Sequence, residues 1–276
     1  MVWSGGVLPV LVPISTTLAG VCGRGQVSMT STSLPRVGET ASMPDDAALV
    51  DNHLAFLAAH RGEVRRSAAG IEVVGESADF SAWIPLDPSA VIPDGTSTVR
   101  LVPWSGDGWE ERLAAAGFEP AEVLVHMEAP SDPVDGEPVA AISTDEDAAA
   151  FAEVQGAAFL DEDEPDYDWW QKMLVEMALR NYPAPDQSLY VLRVDGDPAS
   201  VTLVLRTGAV FGVYAVATKP AYRGRGLAST LLAQARRDAA GGRLTLQVVE
   251  GSDAERLYLK LGFRGAFRSP HFRRLL

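Results

Sequence analysis

Apolar and polar residues along this chain change period several times, and each change marks an element. Asp45–Arg61 repeats its apolar positions at helical spacing, Gly70–Leu86 and Thr98–Trp104 read as strands, Gly108–Phe118 as a short helix and Glu122–Glu128 as another strand. Further on, Thr144–Phe159 has the pattern of a helix capped by Thr144, followed by a second helical stretch over Trp169–Arg180. Val210–Thr218 is almost wholly apolar and rich in β-branched and aromatic residues, as a strand inside a sheet requires, and Pro220 blocks its continuation. From Gly226 a helix follows, with Leu227, Leu231, Leu232 and Ala235 on one stripe and Gln234, Arg236 and Arg237 expected on the wet side. Arg243–Val249 alternates like a half-buried strand. Ser252-Asp-Ala-Glu255 then opens a helix with the capping-box pattern, and Gly262 ends it.

Charge separates one segment from the rest. The chain carries 37 Asp+Glu against 23 Lys+Arg, a formal net charge of −14. Between Asp197 and Asp238 it has no carboxylate side chain, while Arg206, Lys219, Arg223, Arg225, Arg236 and Arg237 all fall there. A local positive site on a negative protein favours a small polyanion over a nucleic-acid duplex, which would need a broad basic face. Within the segment, Arg223-Gly-Arg-Gly-Leu-Ala228 runs directly into the helix. A helix N-terminus offers unpaired N–H groups and partial positive charge, and Gly224 and Gly226 let an anion approach the backbone without a Cβ in the way. The sequence is not a Gly-x-x-x-x-Gly-Lys-Ser/Thr loop, and Ser229 stands where a dinucleotide fingerprint needs its third glycine. An ordinary solvated turn is the competing reading of this motif taken alone.

A second motif, Leu257-Tyr-Leu-Lys-Leu-Gly-Phe263, follows in a fixed order: strand, Arg-x-x-Gly-x-Ala turn, helix, strand, helix. In that order the two motifs resemble the GNAT superfamily of N-acetyltransferases, over about residues 138–270. The resemblance implies an α/β fold, more fully an α+β arrangement with a mixed, mostly antiparallel twisted sheet flanked by helices, and acetyl-CoA as cosubstrate without a metal. It implies that Arg223, Gly224, Arg225, Gly226, Leu227 and Ala228 hold the pyrophosphate, chiefly through backbone N–H groups. It also implies that the main chain of Val216, Ala217 and Thr218 pairs with the pantetheine arm, and that Tyr258 is the general acid for the departing thiolate. A phenol with a pKa of about 10 can give its proton to a thiolate within a hydrogen-bonded transition state; the alternative is that Tyr258 only packs. Family members often have Asn seven residues before this tyrosine, where this chain has Gly251.

The base is less defined. Val210–Thr218 has no carboxylate, so Glu250 at the end of the next strand, the acidic run Asp161–Asp168 and a water relay all stay open. From Glu128 through Gln171 there is no Lys or Arg. Glu162, Glu164 and Trp169 are the candidate acceptor-binding residues along an edge that would attract a cationic amine, although charge runs more often simply face solvent.

A length of 276 residues suggests about two domains, and 47% hydrophobic residues suffice for substantial cores. The Pro/Gly/Asp-rich stretch Asp132–Pro138 marks a boundary, dividing the chain into a flexible leader (1–42), an N-terminal unit (43–131) and the acetyltransferase unit (132–276). Setting Gly117-Phe118 beside Gly262-Phe263 suggests a faint internal repeat in which Leu113 falls at the place of Tyr258. No Arg-x-x-Gly-x-Ala precedes it, so the N-terminal unit reads as a degenerate or partial GNAT-like half without its own cofactor site, or as an unrelated α+β cap. The apolar leader lacks a preceding basic residue, Val21 interrupts a lipobox-like spacing, and two prolines oppose a membrane span. Cys22 is the only cysteine, which precludes intrachain disulfides and fits a cytoplasmic protein; four scattered histidines suggest no zinc site.

Taken together, these features predict an N-acetyltransferase in which a primary amine of a small molecule or peptide attacks acetyl-CoA directly, with neither nucleic acid nor membrane as partner. A CoA-binding sensor with the same fold and no chemistry is the reading from another class. The oligomeric state stays open, a homodimer included.

Overall fold

Among the described residues, ten strands join in a single sheet whose order, β1-β2-β3-β4-β10-β5-β9-β8-β7-β6, gives the same pattern from either end. The computed structural model describes residues 43–60, 62–75, 81–130, 132, 134, 136–161, 163 and 165–274. The first half contributes α1 (Met43–His60), β1 (Gly62–Arg66), β2 (Gly70–Gly75), β3 (Ala82–Pro85), β4 (Thr98–Arg100), α2 (Trp109–Ala115) and β5 (Glu119–Ala129). The second contributes α3 (Asp145–Phe159), α4 (Tyr167–Asn181), β6 (Gln187–Val194), β7 (Asp197–Thr207), β8 (Val210–Thr218), α5 (Leu227–Asp238), β9 (Arg243–Val249), α6 (Asp253–Lys260) and β10 (Arg264–Arg273).

The two halves match strand for strand. The strand pairs β1·β2, β2·β3 and β4·β10 are antiparallel, as are β6·β7, β7·β8 and β9·β5, while β3·β4 and β8·β9 are both parallel. β5 and β10 lie side by side at the centre, running antiparallel from Arg264↔Glu128 to Arg273↔Glu119. Each half therefore gives its last strand to the other, and the chain crosses Asp132–Pro138 without interrupting the sheet. Two helices have no counterpart: α3 and α4 precede β6 where α1 alone precedes β1, and α5 joins β8 to β9, whereas residues 86–97 join β3 to β4 with no helix. There Arg112 fills the loop, donating to the carbonyls of Pro88 and Ala90 and lying 3.9 Å over the Trp109 ring.

Alternation along the strands sorts the core into two faces. On one, α1, α3 and α4 cover Ile71, Val73, Leu203, Leu205 and Tyr214; on the other, α5 and α6 cover Val213, Val216, Leu246 and Val248, and α2 packs with Trp83, Val99 and Leu101. Buried Asn52 ties α1 to the β7–β8 hairpin, its Nδ2 donating to Leu205 O (3.1 Å), Thr207 Oγ1 (2.8 Å) and Val210 O (3.3 Å).

The strands Val210–Thr218 and Arg243–Val249 stand where the patterning puts them. The stretch Gly70–Leu86 is instead two antiparallel strands, β2 and β3, and β4 is only the start of Thr98–Trp104. Gln234 departs from the expected wet side: it is 7% exposed and its Oε1 accepts from Val139 N at 2.9 Å. Arg236 likewise turns inward to the carbonyl of Leu261. The leader, with Cys22, lies outside the described residues. Among the described residues no helix is long and apolar enough to cross a membrane.

Candidate active site

The site begins where β8 and β9 part. Their pairing is confined to Val210↔Arg243, Phe211↔Leu244 and Gly212↔Thr245. Beyond it, β8 keeps β7 on its far side and β9 keeps β5, so the edges facing each other across the gap are open. Such edges carry unpaired N–H and C=O groups that an extended ligand arm can satisfy. A bulge opens the gap further: Ala215 has φ 53°, and the register on β7 shifts between Val201↔Ala217 and Leu203↔Tyr214. Val216 and Ala217 are buried, and Thr218 Oγ1 meets Ser200 Oγ at 2.8 Å, which fixes the end of the strand.

At that end a short 3-10 turn, Pro220–Tyr222, leads into the glycine-rich segment. Gly226 caps α5 with φ 79°, a left-handed conformation that favours glycine, and offers no side chain to occupy the first-turn N–H groups. A Cβ built on either Gly224 or Gly226 meets nothing within 4 Å, so the space over the turn is open. The arginines shape the turn: Arg223 Nε donates to Thr218 O at 3.2 Å, and Arg225 donates to Ala221 O while its guanidinium lies 5.1 Å from the Tyr222 ring centroid. Lys219 is engaged elsewhere, its Nζ 2.6 Å from Glu153 and 3.3 Å from Asp197, so it clamps the end of β8 to α3 and β7. Open space, a helix N-terminus without acidic residues and two adjacent guanidinium groups fit a pyrophosphate.

Tyr258 projects from α6 into the apolar cluster that also contains Val213 and Val216 of β8 and Leu246 and Val248 of β9. Its ring centroid is 5.7 Å from that of Phe263, and only 2% of the residue is exposed. Burial pushes its phenol pKa up, keeping the proton on the oxygen at neutral pH. Desolvation is the only cause of that shift, with no charged neighbour contributing. The helix that carries it is well fixed at its start. Ser252 Oγ accepts from Glu255 N at 3.2 Å, and the Glu255 carboxylate reaches back to Gly251 N at 2.6 Å, one residue before the partner that a regular capping box uses.

The remaining sequence candidates are placed differently. Glu250 does stand at the C-terminal end of β9, but its Oε1 accepts from Arg268 Nε at 2.5 Å. Trp169 sits in the first turn of α4, 48% exposed and edge-on to Trp170 at 4.7 Å. Glu162 and Glu164 lie outside the described residues. The acidic stretch is also less free than its composition suggests, because Glu128 pairs with Arg243 at 2.7 Å and Asp147 with Arg193 at 2.9 Å. Among the described residues no group of His, Cys, Asp and Glu could hold a metal ion.

The histidines, scattered in sequence, gather in space. On the α1 side of the sheet, the His53 ring centroid lies 6.0 Å from that of His126 and 6.1 Å from that of Tyr214, and His126 stacks on Phe267 at 4.3 Å. Register places His126 opposite both Phe267 and Gln247, and His271 opposite Arg100. Polar residues at inward positions of otherwise apolar strands are the one sequence signal that marks this cluster.

Parallel strands that splay beside a glycine-rich helix N-terminus are the arrangement with which the comparisons agree. Residues 185–265 match the family model described as an acetyltransferase (GNAT) domain. Among solved structures, it is similar to a GCN5-related N-acetyltransferase from Kribbella flavida, with 16% identity, a TM-score of 0.57 and coverage of 84% of this chain and 96% of that one. A functionally unknown conserved protein from Staphylococcus epidermidis gives 13% identity, a TM-score of 0.59 and coverage of 78% and 95%. An acetyltransferase from Colwellia psychrerythraea gives 13%, 0.51 and coverage of 81% and 89%. These likenesses concern the fold, and they extend well beyond the matched domain into the N-terminal half. No curated protein matches the chain significantly.

Proposed function

We propose that this protein is a cytoplasmic N-acetyltransferase that moves an acetyl group from acetyl-CoA to a primary amine by direct attack. The observation that carries the reading is the opening of β8 from β9 next to the Gly224–Gly226 turn, with Tyr258 buried in the apolar cluster that residues of both strands share. In this reading Arg223–Ala228 hold the pyrophosphate through backbone N–H groups and the helix dipole. The open edge of Val216–Thr218 pairs with the pantetheine arm and orients the thioester, and main-chain N–H groups at the bulge polarise its carbonyl. The amine attacks the carbonyl carbon, the C–S bond breaks, and Tyr258 donates its proton to the leaving sulfur. The amine must itself lose a proton. Since Glu250 is engaged by Arg268, a water relay is the more consistent acceptor of that proton.

The same engagement of Glu250, with no carboxylate on β8, favours a second reading: a CoA-binding protein of this fold without turnover. Acetyl-CoA titration by calorimetry, followed by thiol release across a panel of small amines and peptides, separates the two. Binding with thiol release supports transfer. Binding without release from any amine supports the silent binder, and absence of acetyl-CoA binding overturns both.

A further inference from the structure

Four buried polar side chains lie at the centre of the sheet, where the two halves meet. Arg100 faces His271 across β4 and β10, and Gln247 faces His126 across β9 and β5, so each half supplies one strand to each pair. All four point to the α1 face, opposite the α6 face that holds Tyr258. Their exposures are 4%, 2%, 7% and 2% for Arg100, His271, Gln247 and His126; Arg100 Nε and His126 Nδ1 have no hydrogen-bond partner, while the Gln247 amide acts on the Tyr214 hydroxyl. Buried polar atoms are normally satisfied, and two orphans on one face call for a ligand or water.

The guanidinium is the informative member. A buried cation is normally held by a carboxylate, usually bidentately. Arg100 instead has Nη1 at 3.4 Å from His53 Nε2. Glu122 acts on Arg100 only through space, its Oε1 lying 3.3 Å from His271 Nδ1 and 3.9 Å from Arg273, so that its charge is shared among three partners. Arg100 remains a cation: burial lowers its pKa only to about 10. Both histidines are neutral at pH 7, since burial lowers His126 to about 3 and His271 to about 4. The cluster thus has one cation without a bonded anion. It also reaches the reacting end of the cleft, because His53 spans from Arg100 to Tyr214, the residue next to the Ala215 bulge.

We infer that Arg100, with Gln247 and His126 beside it, binds a carboxylate of the acceptor, so that the acceptor is an amino acid whose amine faces the splayed strands. The inference rests on the N-acetyltransferase reading for the role of the amine and on the cluster alone for the carboxylate. A negative protein with an acidic rim would repel a plain carboxylate at long range; a zwitterion carries its own compensating amine.

The test compares glycine, 4-aminobutanoate and 6-aminohexanoate with methylamine, propylamine and pentylamine, the same amines without the carboxylate. With acetyl-CoA, at least one amino acid should exceed its partner in kcat/KM by about tenfold or more, and in Arg100→Gln the two members of that pair should become equivalent, whereas Arg100→Lys should keep part of the preference. Binding of 6-acetamidohexanoate against N-pentylacetamide to the unaltered protein, followed by NMR, gives a readout independent of turnover and of the folding of the variants. Preference for the carboxylate in that assay supports the subsite even if no amine releases thiol, an outcome that would defeat only the transfer reading. No preference in the unaltered protein, or full preference retained in a folded Arg100→Gln, overturns the subsite.

Discussion

Leu113 and Tyr258 occupy the same place in two copies of one motif. Each lies on a short helix ended by a left-handed glycine, Gly117 at φ 81° and Gly262 at φ 88°, and each carbonyl accepts from the phenylalanine five residues on: Phe118 N to Leu113 O at 2.9 Å and Phe263 N to Tyr258 O at 3.0 Å. Both helices then run into a central strand. In the first half the motif retains the packing, but leucine has no proton to give and no helix N-terminus joins β3 to β4.

That asymmetry sets the stoichiometry. Titration with acetyl-CoA should give one site per chain, and Leu113→Tyr should add neither binding nor turnover. Two equivalent sites by calorimetry would contradict the assignment of the cofactor turn to Arg223–Ala228 alone.

Replacing Tyr258 with Phe keeps the ring in its apolar cluster and removes only the proton that burial holds on the oxygen. The acyl-transfer step should slow by about 10²-fold or more while donor affinity changes little. Single-turnover kinetics is the appropriate measurement, because slow product release would hide the effect at steady state. Transfer at the parent rate would make Tyr258 a packing residue.

Gly226→Asp places a carboxylate in the open space over the turn and forces a side chain into a left-handed backbone. Acetyl-CoA affinity should fall by at least about tenfold, or about 1.4 kcal/mol. Gly226→Ala shares the backbone penalty, of about 1 kcal/mol, without the charge, and should lose much less affinity. The difference between the two by calorimetry reports the electrostatic part.

Acid should destabilise the fold through the central histidines. His126 and His271 bind protons only near pH 3 and pH 4 in the native state, whereas the unfolded chain binds them at about 6.5. The unfolded state therefore holds more protons below about pH 6.5, and stability falls with pH from there toward about pH 4, by up to about 1.4 kcal/mol per pH unit for each histidine. Urea denaturation between pH 7 and pH 5 should show this slope, with His126→Asn reducing it by about one proton. An unchanged slope would mean that His126 is accessible to protons in the folded protein.

The local parts of the site were legible because short-range physics writes them. A β-branched run stopped by proline gives β8, glycines before an apolar stripe give the turn and α5, and Ser252 with Glu255 gives the start of α6. Gln234 was misjudged because its place on the helix says nothing of the loop that covers it: Val139 reaches it from 95 positions away. The same holds for Glu250, whose partner Arg268 lies on a strand that the pattern did not single out.

The sequence by itself determined the strand, turn and helix that form the cofactor side, and the repeated Gly-Phe that ends each short helix, since these depend on neighbours within one or two turns. Only the tertiary structure decided that β5 stands between β9 and β10, and hence that Arg100, His126, Gln247 and His271 share one face. Their meeting depends on pairings such as His271↔Arg100 and His126↔Gln247, between residues more than a hundred positions apart. No local propensity encodes such a pairing; it is fixed by burying both faces of one continuous sheet.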